Sequence, residues 1–412
     1  MKTTYIIDPV DSLFFRQARP FSSGENAVGQ HSVFPPAPHT VVGAIRAQWA
    51  TQQGWKGRGS WDAAKPGLLN ALGGDEQELV GLAFIGPELA ALNSATVERL
   101  YPAPAALIGK KTDEKKTDEK KTDGCKHPMP AIPSDLVRLQ PASQAIETDL
   151  GLVRLPVAVT PATDQTQGRK NLNDCYLTEA GLSVFLNGGV PDQTSHWYRH
   201  CLGLNLTTTE TRVGNQIDRN TGRVLDGMLY STNHLRLAND VRLIMEVDTS
   251  QHTNPMGISL VSPAHIALGG EGRAATITST ITSTATDEDA LKPANLNEFT
   301  NGQYLVYVRT PIVLPDSDHG VNPLPHPSRP FAGLPGQVVS ACLYPSQRYG
   351  EWLQQHGQRH SKTCSVIPAG SVIFMQTEQA TDQTKDIAKL VANPVLGERI
   401  SWGYGRVAIG RW

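Results

Sequence analysis

Apolar positions open the chain in a short β-rich run, Thr4–Ile7, which Pro9 ends. The block DSLFFRQARPF, residues 11–21, is apolar at its centre, carries two arginines, and reads as a loop or edge segment. FPPAPHT, residues 34–40, is stiffened by proline and predicts an extended lead-in with Thr40 as N-cap. Val41, Ile45 and Trp49 then recur at i, i+4 and i+8, one face of a helix, with Arg46 on another face. Residues 152–159 read as β, and residues 176–186 have more helical spacing.

Further on, turn residues Asn220–Gly222 stand between β-capable flanks and predict a long hairpin near 205–235. Residues 235–248 read as one or two strands, LGGEGR at 268–273 as a glycine turn, and 276–289 as a polar strand and linker. Residues 304–314 form a strand with Pro311 near its end, 315–335 a loop, and 366–376 a turn followed by a strand. Residues 110–124 repeat KKTDE nearly three times without an apolar residue. That composition cannot bury a core, and predicts a disordered insertion near 109–127.

Length changes the picture first: 412 residues exceed one ordinary core and predict two or three domains. No run of 18 apolar residues occurs, so no membrane span is expected. No signal-peptide core precedes Asp8 and Pro9, which makes the cytoplasm the expected compartment. Five scattered cysteines without a CxxC pair argue against a disulfide framework or zinc ribbon.

Net charge is −2, which argues against nucleic-acid binding by bulk electrostatics but leaves room for a local basic groove. The stretch 205–245 holds five arginines and no lysine. Arginine is the better residue for bidentate phosphate contacts.

Candidate chemistry is sparse. Gly403, Gly405 and Gly410 form G-x-G-x4-G, which has the wrong spacing for a dinucleotide fingerprint. They leave open a ligand-approaching loop flanked by Arg399 and Arg406, or a plain turn. His196/His200 and His356/His360 sit at i, i+4 without the glutamate of HExxH, and read as structural or surface histidines. No metal site, cofactor motif or specific catalytic motif stands out. A metal-independent ribonuclease would want a histidine or tyrosine base beside a lysine or arginine.

Taken together, the blocks resemble a known family. DSLFFRQARPF followed by FPPAPHTVVGAIR is similar to the N-terminal signature of the third subunit of the Cmr complex, a RAMP protein of the type III-B CRISPR effector. The similarity continues through TRVGNQIDRNTGRVLDGMLY, LGGEGR, IPAGSVIFM and GERISWGYGRVAIG, in the family's order from about residue 6 to 410.

The resemblance implies an α+β fold of two ferredoxin-like (RRM-like) domains with an inserted hairpin and glycine-rich loops. Residues 1–268 would form the first domain and 269–412 the second. It implies a non-catalytic, cofactor-free subunit that caps the 5′ handle of the CRISPR RNA. Its partners would be that RNA, the large polymerase-like subunit and a backbone RAMP subunit. Carried over by position, the RNA-binding candidates are Arg16, Arg19, Arg46, Arg212, Asn215, Arg219, Gly269, Gly270, Arg273, Gly403, Gly405 and Arg406. Arg19 could instead pair with Asp11. Two alternatives stay open: an endoribonuclease using His31 or His39, as some related RAMP proteins process CRISPR RNA, and a pure interaction protein in which the arginines pair with acids.

Overall fold

The computed structural model describes residues 2–17, 30–74, 78–93, 96–110, 134–148, 151–159, 168–173, 175–197, 206–252, 260–281, 291, 299, 301–314, 334–355, 358–377 and 380–412. Arg19, His200, His356 and the KKTDE repeats beyond Lys110 lie outside the described residues, as do 282–289 and 315–333. The fold is mixed α and β, rich in strands and poor in helices. Among the described residues no helix is long and apolar enough to cross a membrane.

The largest sheet runs in the order Tyr176–Leu177, Thr96–Pro102, Ala83–Asn93, Val241–Asp248, Lys2–Pro9, Ala274–Ile281, Ala264–Ala267. Along Lys2–Pro9, Tyr5 and Ile7 are buried, the period of two that one covered face requires. Val241–Asp248 is central and apolar, and is buried almost throughout. Helix Pro38–Gln52 covers this sheet with Val41, Val42, Ile45, Trp49 and Ala50. Trp49 meets Phe84 of the sheet at 5.9 Å between ring centres.

The helix begins earlier than the sequence predicts. Pro38 occupies its first turn and Ala37 its cap, so Thr40 already lies inside it. The physical reason is that proline's missing N–H and fixed φ suit the first helical position.

A second sheet has the order Gln337–Cys342, Val372–Gln376, Gln303–Val308, Val407–Gly410, all antiparallel. Helix Ala380–Ala392 packs Ile387, Leu390 and Val391 into its core. Strand Gln303–Val308 stops short of Pro311 and pairing resumes at Ile312–Val313. Strands Gln347–Gln355 and Gln358–Ile367 form a hairpin beside the second sheet, so His360 lies on a strand and the helical chelate spacing does not arise.

The two sheets are tied by strand pairing and by charge. Trp402–Gly403, almost at the C-terminus, pairs in parallel with Phe84 and Ile85 of the first sheet. Strands 264–267 and 274–281 both belong to the first sheet, so the expected division at 268/269 falls inside it. Buried Glu88 accepts from Arg99 at 2.6 Å and from Arg309 at 2.9 Å, while Arg99 also donates to Glu246 at 3.0 Å. This network joins the first sheet to the chain leaving Gln303–Val308.

Candidate nucleic-acid interface

The expected hairpin is present as Thr207–Ile217 and Val224–Leu237. Its tip is set by local chemistry. The Asp218 carboxylate accepts from the Asn220 N–H at 2.8 Å and the Thr221 hydroxyl at 2.9 Å, and Gly222 takes a positive φ.

Residues 11–17 leave the first sheet and run along the hairpin root. Leu13 and Leu235 exchange both backbone hydrogen bonds, at 2.7 and 2.8 Å. The Ser32 hydroxyl donates to the Asn233 carbonyl at 2.8 Å and accepts from the Phe15 N–H at 3.2 Å. The glycine turn at 268–273 closes on the same segment, with the Gly270 N–H donating to the Phe14 carbonyl at 2.8 Å. Gly269 has φ +84°, and a Cβ there would strike that carbonyl, so this approach requires glycine.

These three segments bring charge to one place. Asp11 accepts from Arg236 at 2.7 Å, from Arg212 at 3.2 Å and from Arg273 at 3.3 Å. Glu210 accepts from Arg236 at 2.6 Å and from Arg212 at 3.2 Å. Arg212 also donates to the Ser12 hydroxyl at 3.0 Å. Three guanidiniums against two carboxylates leave an excess of one positive charge.

Hydrogen bonds from Arg236 and then Arg212 hold the carboxyls of Asp11 and Glu210 below their ordinary range. The same bonds hold both guanidiniums above theirs. Beneath them, His234 is 1% exposed and stacks on Phe14 at 5.1 Å. Burial, then Arg212 and Arg273, pushes its pKa down. Arg212 and Arg236 side chains are 37% and 45% exposed, so part of each fork faces solvent.

Of the expected residues, the fold gathers Arg212, Gly269, Gly270 and Arg273 at this spot. Exposed Arg16 lies beside it, in a β-bridge with Ser32. Asn215 and Arg219 are farther out, Asn215 opposite Leu229 and Arg219 exposed at the tip.

Arg46 departs from the expected surface role. It is 1% exposed, with its guanidinium 4.8 Å from the Trp61 ring centre and 4.6 Å from that of Trp402. It donates to the Leu72 carbonyl at 2.9 Å and to the carbonyl of Gly73.

Gly403, Gly405 and Arg406 are buried between the sheets. A Cβ on Gly403 would meet the Gly86 carbonyl, and one on Gly405 the Leu396 carbonyl. Close backbone packing inside the protein therefore accounts for both glycines, the plain-turn alternative for this loop. His39 bonds the Tyr404 hydroxyl through Nδ1 at 2.5 Å, and exposed His31 meets Asn233 at 2.9 Å. Among the described residues no cluster of histidine, cysteine and acidic side chains could hold a metal ion.

The sequence reading missed Arg236 and treated Asp11 only as a partner for Arg19. Asp11 shares a block with Arg16, which was the available signal. Nothing local places it against Arg212, two hundred residues away.

A family model described as CRISPR-associated protein (Cas_Cmr3) matches residues 5–412. No curated protein matches the chain. Among solved structures, it is similar to a chain in the type III-B Cmr-beta complex bound to cognate target RNA and AMPPnP. That match has a TM-score of 0.45 and 15% identity, covering 95% of this chain and 89% of that one. A second, in the same complex bound to cognate target RNA, gives 0.44 and 15%, covering 94% and 88%. A third, in the Csm3-Csm4 subcomplex of the type III-A CRISPR-Cas interference complex, gives 0.37 and 8%, covering 100% and 99%.

Proposed function

The chain belongs to the Cas_Cmr3 family of CRISPR-associated proteins, and from that premise we propose that it is an RNA-binding subunit of a type III-B effector complex. In this reading it holds the 5′ handle of the CRISPR RNA, docks the large polymerase-like subunit and a backbone subunit, and does not itself cleave RNA. The second sheet supports its ferredoxin-like part. Its four strands, numbered along the chain, lie in the order 2-3-1-4 with a helix between the third and fourth.

The observation that carries the RNA reading is the convergence of three distant segments on Asp11. Residues 11–16, the hairpin root and the 268–273 turn together offer Arg212, Arg236 and Arg273 with one net positive charge and part of their forks in solvent. Guanidinium forks match phosphate oxygens, and a single-stranded handle needs only a few such contacts. The acids preorganise the arginines, so a phosphate meets donors already in place. We place Arg16 and Arg219 along the same RNA path, and we leave Arg46, Gly403, Gly405 and Arg406 to the packing that holds the sheets together.

The test is a salt titration of handle RNA on the assembled complex carrying Arg212→Ala with Arg273→Ala. Each lost phosphate contact is expected to flatten the slope of log K against log salt by about one. An unchanged slope and affinity would remove the hairpin root from the interface.

A further inference from the structure

Between helix Pro38–Gln52 and the short helix Trp61–Ala64 the chain makes a compact loop, residues 53–60. Tryptophan pins it at both ends. The Trp55 backbone N–H donates to the Ala50 carbonyl at 3.0 Å, and its indole N–H donates to the Gly59 carbonyl at 3.1 Å. Its ring stands edge-on to that of Trp61, 6.3 Å between centres. Both rings pack against the core and stay partly in solvent.

The backbone between the rings is bare and basic. Lys56 and Arg58 are exposed, and neither side chain has a partner among the described residues. The backbone N–H groups of residues 56–59 have no acceptor among the described residues either. Gly57 and Gly59 take φ +79° and +76°, and a Cβ on either would meet nothing within 4 Å. Left-handed backbone, not close packing, therefore requires these glycines, and the outer surface of the loop stays open to a ligand. Across residues 53–67, Lys56, Arg58 and Lys65 stand against Asp62 alone. The Asp62 carboxylate already accepts from the Leu69 N–H at 2.8 Å.

We propose that loop 55–61 is a second contact for single-stranded RNA, made without sequence preference. Lys56, Arg58 and the free N–H groups around them hold phosphates, and a base stacks on the exposed part of Trp55. The inference rests on the reading of the chain as an RNA-binding subunit and adds a site separate from Asp11. Trp49, near the end of its helix, packs on Phe84, which pairs with Val247, and Val247 pairs with Thr3. Asp11 follows the opposite end of strand Lys2–Pro9, so the two sites stand about 20 Å apart at ~3.3 Å per residue.

Residue type selects the ligand. Guanidinium, ammonium and free N–H groups all seek anions, which an acidic peptide and RNA both supply. The tryptophans decide between them. Any base stacks on an indole, whereas a carboxylate is repelled by the negative face of an aromatic ring. The strand is either guide RNA beyond its handle or a separate single strand, and both present the same chemistry.

The test places a benzophenone amino acid at exposed Ala63, beside the loop, in the full chain assembled with the other subunits and guide RNA. One arm holds guide RNA only, and the other adds a fluorescein-labelled oligouridylate. After irradiation, the expected product is an RNA adduct that ribonuclease removes. Adducts at guide positions beyond the handle identify the guide as the source, and fluorescent adducts identify a separate strand. An adduct to protein alone, or no adduct in a particle that contains the chain, overturns the proposal.

Lys56→Gln with Arg58→Gln is read by fluorescence anisotropy of the same oligouridylate on the full chain. Loss of two phosphate contacts at ~0.7 each is expected to flatten the slope of log K against log salt by about 1.4, with affinity at low salt down by about fivefold. The thermal midpoint is expected to stay unchanged. Undiminished affinity and slope overturn the loop contact alone. Oligoglutamate bound as tightly as oligouridylate, with the same loss in the variant, overturns the choice of RNA. Failure of the unsubstituted complex to bind handle RNA overturns the reading on which the inference rests.

Discussion

At Arg46 a guanidinium sits where a large apolar side chain would otherwise be expected. It is planar, so it stacks between Trp61 and Trp402 while its N–H groups reach the carbonyls of Leu72 and Gly73. Arg46→Ala removes both stacks and strands two carbonyls, and is expected to cost about 3 kcal/mol in urea unfolding. Arg46→Lys is expected to recover less than half of that, because an ammonium has neither the plane nor the fork; full recovery by lysine would refute the stacking account.

Glu88 is the second such residue. Burial alone would raise its pKa, but Arg309 and Arg99 outweigh burial and the net shift is downward. Its contribution is therefore complete above the unfolded glutamate value of about 4.3 and is lost as pH falls through the lower folded value. Comparing Glu88→Gln with the unsubstituted chain should show a stability gap that is constant from pH 7 to about 5 and closes in stronger acid. A gap that widens on acidification would reverse the assigned sign. Glu88→Ala leaves Arg99 and Arg309 short of an anion and is expected to cost about 3–5 kcal/mol at pH 7.

Among the elements, those governed by neighbouring residues were legible in the sequence and those governed by distant partners were not. The Asn220–Gly222 turn was readable because Asp218, Thr221 and Gly222 specify it locally. The helix after the proline run was readable from Val41, Ile45 and Trp49, though its first turn begins at Pro38. The inward turn of Arg46 was not readable, since Trp402, one of the two rings that cover it, arrives from the far end of the chain.

The terminal glycines show the same limit. Their pattern announced a close approach, but only the fold identifies what is approached. Gly405 has φ +71° with the Leu396 carbonyl where a Cβ would stand. Gly405→Ala is expected to destabilise by about 2–4 kcal/mol through left-handed strain and backbone displacement, with RNA affinity of the folded fraction unchanged. A selective loss of RNA affinity at unchanged stability would return this loop to the interface.

At the scale of the whole molecule, sequence order and spatial order diverge. Residues 274–281 pair with Lys2–Pro9, and Trp402–Gly403 lies beside Ala83–Asn93, so the first sheet is completed only after most of the chain has been made. Such non-local pairing has no signature in local periodicity, which is why a boundary at 268/269 looked natural. The same interleaving brings Asp11, Arg212 and Arg273 together, so the candidate interface is a product of topology more than of any single motif.

The most direct measurement is photocrosslinking from the RNA side. The assembled complex would carry a guide RNA with 4-thiouridine placed through its 5′ handle, and the crosslinked peptides would be identified by mass spectrometry. The account predicts adducts in residues 11–17, at the hairpin root 206–212 and 230–237, and in the 268–273 turn, all weakened by Arg212→Ala with Arg273→Ala. Handle adducts confined to other subunits, or to surfaces of this chain away from those three segments, would contradict it.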